Sequence, residues 1–213
     1  MTPIIDIHTH RPDADGALIS VDLRHFDPQP GKWYSVGFHP WHDVRLLTPE
    51  DFDLLERCAS HPQVLAIGET GIDHLRGDAV PIQANAFVRH LRLAHELNKP
   101  VVAHCVKAAQ DILAARHNAG CDDVPLVIHG MRSNAHVART LLDAGCSLSF
   151  GPRFNPAAVQ ATPPDRLFIE TDDSADVSIH DVASSISQVL SLTVDEVIGL
   201  TSANIRRLLS PEP

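Results

Sequence analysis

The sequence predicts an α/β chain: a distorted, compact (β/α) barrel of the TIM type, with seven or eight strands and shortened first β/α units. Three observations lead there. Short apolar runs alternate with helical patterns along the 213 residues, as parallel strands joined by helices require. Seven such runs within ~200 residues favour a closed ring over an open sheet. No linker, low-complexity stretch or fixed-period repeat divides the chain, so residues 1–213 read as one domain.

Each element has its own signal. Ile4-Ile5-Asp6-Ile7 and Trp33 to Phe38 read as strands. Thr48 caps the helix opened by Pro49, whose inner face carries Phe52, Leu55 and Ala59. Val64-Leu65-Ala66-Ile67 is the next strand, and Gly68-Glu69-Thr70-Gly71-Ile72-Asp73 follows it. A helix over Pro81 to Asn98 places Ile82, Phe87, Leu91, Ala94 and Leu97 near one face. Pro100 to Ala103 is a strand, followed by a helix from Ala108 to His117 that stops at Gly120. Pro125 to Ile128 is a strand, and Ser133 is expected to cap a helix ending at Gly145. Cys146 to Phe150 and Arg166 to Ile169 are the last strands, with a Pro-rich loop between them. Two or three helices from Ile179 to Leu209 follow.

The start breaks the rhythm. Between His10 and Ala17 there is no room for a helix, although Ala17 to Leu23 (ALISVDL) reads as a strand. A parallel return needs a crossover of ~12 or more residues. ALISVDL is therefore expected to pair antiparallel or to lie outside the ring.

Composition removes several function classes. The chain carries 17 Lys+Arg against 27 Asp+Glu, a formal charge of −10, which argues against wrapping contact with nucleic acid or an anionic membrane. An apolar share of 44% is enough for a core and excludes a disordered chain. No apolar run approaches the ~20 residues of a membrane span. Met1 to Asp6 has neither the basic nor the apolar region of a signal peptide. Cys58, Cys105, Cys121 and Cys146 are scattered and read as reduced thiols, as in a cytoplasmic protein. A monomer is expected.

The chemistry lies at the strand ends. Asp6-Ile7-His8-Thr9-His10 puts two imidazoles on one side of a strand. Gly37-Phe38-His39-Pro40 ends the next long strand, Glu69 follows VLAI, His104 ends VVA, His129 ends LVI, and Glu170-Thr171-Asp172 ends LFI. In a barrel, all these ends lie on the rim where catalytic residues belong. His8, His10, Glu69, His104, His129 and Asp172 offer imidazoles and carboxylates suited to divalent ions such as Zn²⁺, Mn²⁺ or Mg²⁺. Six ligands exceed what one open catalytic site needs. Two ions are expected, with Glu69 bridging, His8, His10 and Asp172 on one ion, and His104 and His129 on the other.

The order of these motifs resembles the TatD-type family of metal-dependent deoxyribonucleases, within the amidohydrolase-like barrels. D-x-H-x-H, G-x-H-P, G-E-x-G-x-D, the histidine after P-V-V, the histidine after V-I, and E-T-D run over most of the chain. Ser202-Ala203-Asn204-Ile205-Arg206-Arg207-Leu208 is similar to the family's closing helix. The resemblance implies hydrolysis of DNA ends, as by a 3'-5' exodeoxyribonuclease, and ligand positions that match the six residues above. It also implies that His39 sits in the site. Departures touch the substrate side. Val106, with Lys107 beside it, stands where the family usually has Arg; His129-Gly130-Met131-Arg132-Ser133 replaces H-C-F-S-G; and Asp173 replaces the Pro after E-T-D.

The expected catalytic residues are thus Asp172, as the group taking a proton from the attacking water, with Glu69 and His39. Lys107, Arg132 and Arg153 are the rim cations that could hold phosphate oxygens; Lys107 and Arg153 are the expected substrate contacts, Arg153 because phosphate sites often use the loop after the seventh strand. Asp73 either orients a ligand or caps a turn. Trp41 is expected to pack at the core or rim, and His90 is grouped with the surface histidines. DNA ends or short oligonucleotides are the expected substrate. A metal-dependent amidohydrolase or phosphatase acting on a small molecule is the alternative, and a non-catalytic metal-binding barrel is the third reading.

Overall fold

The computed structural model describes residues 3–42 and 44–209. Met1 and Thr2 of the opening segment, Asp43 and residues 210–213 of the domain reading lie outside them. The eight strands follow one another in chain order as a closed parallel barrel. They are β1 (Asp6–Thr9), β2 (Ala17–Asp22), β3 (Trp33–Gly37), β4 (Val64–Asp73), β5 (Val101–Val106), β6 (Leu126–Ile128), β7 (Ser147–Phe150) and β8 (Leu167–Ile169). Helix α1 (Pro49–Ala59) follows β3, α2 (Val80–Glu96) follows β4, and α3 (Ala109–Ala119) follows β5. Next come α4 (Ala135–Asp143) after β6 and α5 (Pro156–Ala161) after β7, with α6 (Ile179–Leu190) and α7 (Val194–Leu209) closing the sequence. Among the described residues no α-helix lies between β1 and β3, as the shortened opening predicts.

Internal packing divides the chain into two compact units, Met1–Ile19 with Val127–Pro213, and Ser20–Leu126. In the first, β1 pairs in parallel with β2 (Asp6 opposite Ala17, Thr9 opposite Ile19) and with β8 (Asp6 opposite Ile169). This corrects the expectation for ALISVDL. The strand lies within the ring, parallel, and a loop of seven residues makes the return. The crossover can be short because β1 is short. Four residues rise only ~13 Å, and seven residues reach ~23 Å when extended. Gly16, at φ 62, turns the chain back, and its carbonyl accepts from the Ile5 N–H at 2.9 Å. The first strand is also two residues later than its apolar run implies, so His8 is inside the ladder.

In the second unit, β3 pairs with β4 and β4 with β5, all parallel. Here β4 is ten residues long and includes the whole of Gly68 to Asp73, which the sequence places after the strand. Gly68 and Gly71 adopt φ of 142 and 143, and a Cβ at Gly71 would lie 2.1 Å from the His104 carbonyl oxygen. These glycines let two backbones approach within one sheet.

Helices follow the sequence with local corrections. Thr48 caps α1 in a reciprocal capping box with Asp51. Asn134, not Ser133, caps α4, its side chain accepting from the His136 and Val137 N–H groups. The Pro-rich loop before β8 contains α5, opened by Pro156 and capped by Asn155. The inner face of α2 is Gln83, Ala86, Phe87, His90, Leu91 and Ala94, and Ile82 is 38% exposed. No helix among the described residues is long and apolar enough to cross a membrane.

Candidate active site

The first unit gathers His8, His10, His129, Glu170 and Asp172. Strand β1 fixes His8, which is completely buried, and His10 follows just beyond its end with the imidazole 43% exposed. Asp172 is tied to them by backbone. Its N–H donates to the His8 carbonyl at 3.0 Å, and its carbonyl accepts from His10 N–H at 3.1 Å. At φ 53, Asp172 adopts the left-handed backbone that aspartate tolerates better than most residues. His8 Nε2 and His10 Nε2 each lie 3.7 Å from Asp172 Oδ1. That is long for hydrogen bonds, but two ligands each about 2.0–2.2 Å from one ion sit roughly 3–4 Å apart. The spacing fits a shared divalent cation.

Asp6 braces this group from below. Its carboxylate accepts from the Thr171 hydroxyl at 2.6 Å, Thr171 N–H at 3.2 Å and His8 N–H at 3.2 Å. Burial pushes the Asp6 carboxyl up to about 7, against those hydrogen bonds. Glu170 is the residue the sequence analysis passed over. It is fully buried and accepts from Gly130 N–H at 2.7 Å, with His129 Nδ1 3.4 Å away. Burial works to raise its carboxyl, but the charges of His129 and His8 and the hydrogen bond from His129 hold it below the usual range. His129, Glu170 and Asp172 offer ligand atoms within 4.8 Å of one another. The missed signal was the glutamate of E-T-D itself, at a strand end.

The second unit gathers His39, Glu69, His104, Asp73 and Trp41. Glu69, on β4, is 4% exposed. Its Oε1 is 2.9 Å from His39 Nε2 and 2.8 Å from His104 Nδ1, both hydrogen-bond distances. His39 Nδ1 accepts from Trp41 N–H at 3.0 Å, so in neutral His39 the proton sits on Nε2 and points to Glu69. His104 Nε2 contacts Asp73 Oδ2 at 3.1 Å. Asp73 also accepts from Trp41 Nε1–H at 2.6 Å and Leu75 N–H at 2.7 Å. Its two expected roles coexist: it orients His104 and caps the turn after β4. Burial raises the Asp73 carboxyl, and these bonds with the His104 charge outweigh it.

Trp41 packs beside the site histidines, as its rim reading expects. It is 42% exposed, stands edge-on to His39 and His104, and carries the Arg76 guanidinium 4.0 Å above its ring. His90, by contrast, is no surface residue. Fully buried on α2, it donates from Nδ1 to the Ala86 carbonyl and accepts Phe38 N–H on Nε2 at 2.9 Å. It thereby fixes the backbone beside His39, and desolvation lowers its pKa to about 4. Gln83, also buried, holds the end of β4 by accepting Asp73 N–H at 2.7 Å and donating to the Asp73 carbonyl at 3.0 Å. Helical spacing with Phe87 and Leu91 was the signal for both.

The expected substrate contacts divide. Lys107 is exposed just past β5 with φ 52. Arg153 is exposed in the loop after β7 and lines a concavity there. Arg132 is the cation joined to the ligands, its Nη2 3.8 Å from Asp172 Oδ2.

A parallel barrel whose strand ends carry imidazoles and carboxylates at ligand spacing is the arrangement of a metal-dependent hydrolase. The profile described as TatD related DNase matches residues 26–210, and the chain belongs to that family. It is 30% identical over 195 residues to the metal-dependent hydrolase YcfH of Escherichia coli K12, covering 82% of this chain and 72% of that one. It is 35% identical over 153 residues to the 3'-5' ssDNA/RNA exonuclease TatD of Cronobacter turicensis, covering 67% and 57%. The solved TatD homologue YJJV of Escherichia coli superposes with a TM-score of 0.81 at 17% identity over 97% of both chains.

Proposed function

We propose that the chain hydrolyses phosphodiester bonds at the 3' ends of single-stranded DNA or short oligonucleotides, as a single catalytic domain. His8, His10, Glu69, His104, His129 and Asp172 would ligate two divalent ions. The observation that carries the reading is Asp172, whose Oδ1 lies 3.7 Å from both His8 and His10. The exonuclease activity in the name of the Cronobacter relative supports the substrate class.

When bound, divalent ions in such a site activate water and polarise a phosphoryl oxygen. The protein's own groups do the rest. Asp172 accepts the proton of the attacking water, a transfer worth ~10²–10⁴-fold. Arg132 lies beside it, Nη2 3.8 Å from Asp172 Oδ2. His39 is held in the site by Glu69, which faces its Nε2–H at 2.9 Å, and by the Trp41 N–H donated to Nδ1. Asp73 and Glu170 orient His104 and His129 as carboxylate partners of ligating histidines do. Lys107 and Arg153 are the candidates for steadying the substrate backbone.

The test is release of nucleotides from 3'- and 5'-labelled single-stranded, duplex and circular DNA, beside a panel of amides and phosphomonoesters, with Mg²⁺, Mn²⁺, Co²⁺ or Zn²⁺ added. Nucleotides released from 3' ends, and loss of ~10²-fold or more of that turnover in Asp172→Asn with its fold intact, are expected. Turnover confined to amides or monoesters would replace this reading with the small-substrate one.

A further inference from the structure

Next to Asp172 the surface opens into a concavity of about 540 Å³, lined by Arg132, Pro152, Arg153, Phe154, Pro156 and Ser185. Its charge runs opposite to that of the whole chain. The chain carries −10 overall, yet this lining holds two guanidinium groups and no carboxylate. Arg132 connects it to the ligand group, since the same side chain reaches Asp172 at 3.8 Å. The uncharged part of the lining is two prolines and Phe154, whose ring stands edge-on to Phe150 at 6.5 Å.

We propose that this concavity is a second phosphate subsite, which takes the phosphate neighbouring the scissile one while its sugar or base rests on Phe154 and the prolines. Guanidinium forks match phosphate oxygens in pairs, as a single ammonium does not. An aromatic face stacks any base without reading its sequence. The volume lies within the ~300–1,000 Å³ of small-ligand sites, enough for one nucleotide. The inference rests on the phosphodiesterase reading and deepens it: the preferred substrate carries at least two phosphates, and a diester with one phosphate leaves the subsite empty.

Two measurements separate the subsite from the activity. The first compares kcat/KM for thymidylyl-thymidine, which has one phosphate, with the same dinucleotide bearing an added 3'- or 5'-terminal phosphate. One of the added phosphates is expected to raise kcat/KM by about tenfold or more, mainly through KM, and Arg153→Ala and Arg132→Ala to bring that ratio towards one. On longer single strands Arg153→Ala should lower the salt slope of log KM by ~0.7, the loss of one phosphate contact. The second is calorimetric binding of thymidine 3',5'-bisphosphate with chelator present, against thymidine as control. Arg153→Ala should weaken it about tenfold and Arg153→Lys by less. Cleavage with no preference for the added phosphate, and bisphosphate binding equal in wild type and Arg153→Ala, would overturn the subsite and leave the phosphodiesterase standing. Arginine-dependent binding without any diester cleavage would keep the subsite and remove the phosphodiesterase. Absence of both cleavage and binding would remove the two together.

Discussion

Asp73 shows how much one carboxylate can organise. It faces the His104 imidazole, accepts the Trp41 indole N–H and caps the turn after β4. Partners of ligating histidines cost 10–100-fold in metal affinity or activity when removed. Asp73→Asn is therefore expected to weaken metal binding by about that factor in a metal titration, with Trp41→Phe producing a smaller loss of a few-fold because the ring survives and only the donor goes. Unchanged affinity in Asp73→Asn would detach Asp73 from the site. His90 makes a prediction of a different kind. In the folded chain it stays neutral down to about pH 4, whereas an unfolded histidine takes a proton near 6.5. Between those values the unfolded state holds more protons, so stability falls as pH drops from about 6.5 to 4, by about 3 kcal/mol in all. Asp6, raised to about 7, acts in the opposite sense: its folded form holds the extra proton between 3.8 and about 7, so its contribution is lost as pH rises. Urea unfolding across pH 4–7 should therefore show the acid-side loss shrink in His90→Gln, which keeps a donor and an acceptor but cannot ionise there.

Strand β4 is where the sequence and the structure part most clearly. Its apolar run stops at Ile67, but pairing with β5 continues through Asp73 opposite Val106. The run G-E-T-G-I-D follows the apolar run in sequence, yet it stays within the strand because the missing glycine side chains make room for β5. Gly71→Ala would put a methyl group 2.1 Å from the His104 carbonyl oxygen at φ 143. Strain of this sort belongs to the strongly destabilising class, and a loss of more than ~2 kcal/mol is expected, seen as a lower denaturation midpoint together with weaker metal binding. Residues at strand ends were legible because a ligand's chemical type shows in the sequence. His8, His10 and Asp172, and likewise Glu69 and His104, stand out that way and lie together in the structure. Glu170, Asp6, Gln83 and His90 do not stand out, because a buried polar residue differs from an exposed one only in what surrounds it. Likewise, the parallel return of β2 depends on how short β1 is, a boundary that the apolar run Ile4-Ile5 disguised.

At the scale of the molecule, charge and metal content make separate predictions. Protein purified with Mn²⁺ or Zn²⁺ and analysed for elements is expected to approach two ions per chain, and a value that stays well below one after reconstitution would defeat the ligand assignment. A chain at −10 neutralises few phosphates, so the salt slope of log affinity on single-stranded DNA should be about −1 to −3, far from the steeper values of extended binders. Efficient cutting of closed circles, or a slope near −8, would count against engagement at a terminus. The pairing of β1 with β8 has one more consequence. Asp6 and Ile169 lie about 160 residues apart in sequence, and closing so large a loop costs roughly 4–5 kcal/mol in chain entropy. During synthesis at ~5–20 residues per second, the amino-terminal histidines wait roughly 10–30 s for their carboxylate. His8 and His10 are made first and meet Asp172 last. With the proposed ligand set, a nascent chain would offer an ion only His-x-His until residue 172 has emerged, so metal capture would report that translation has run past the eighth strand.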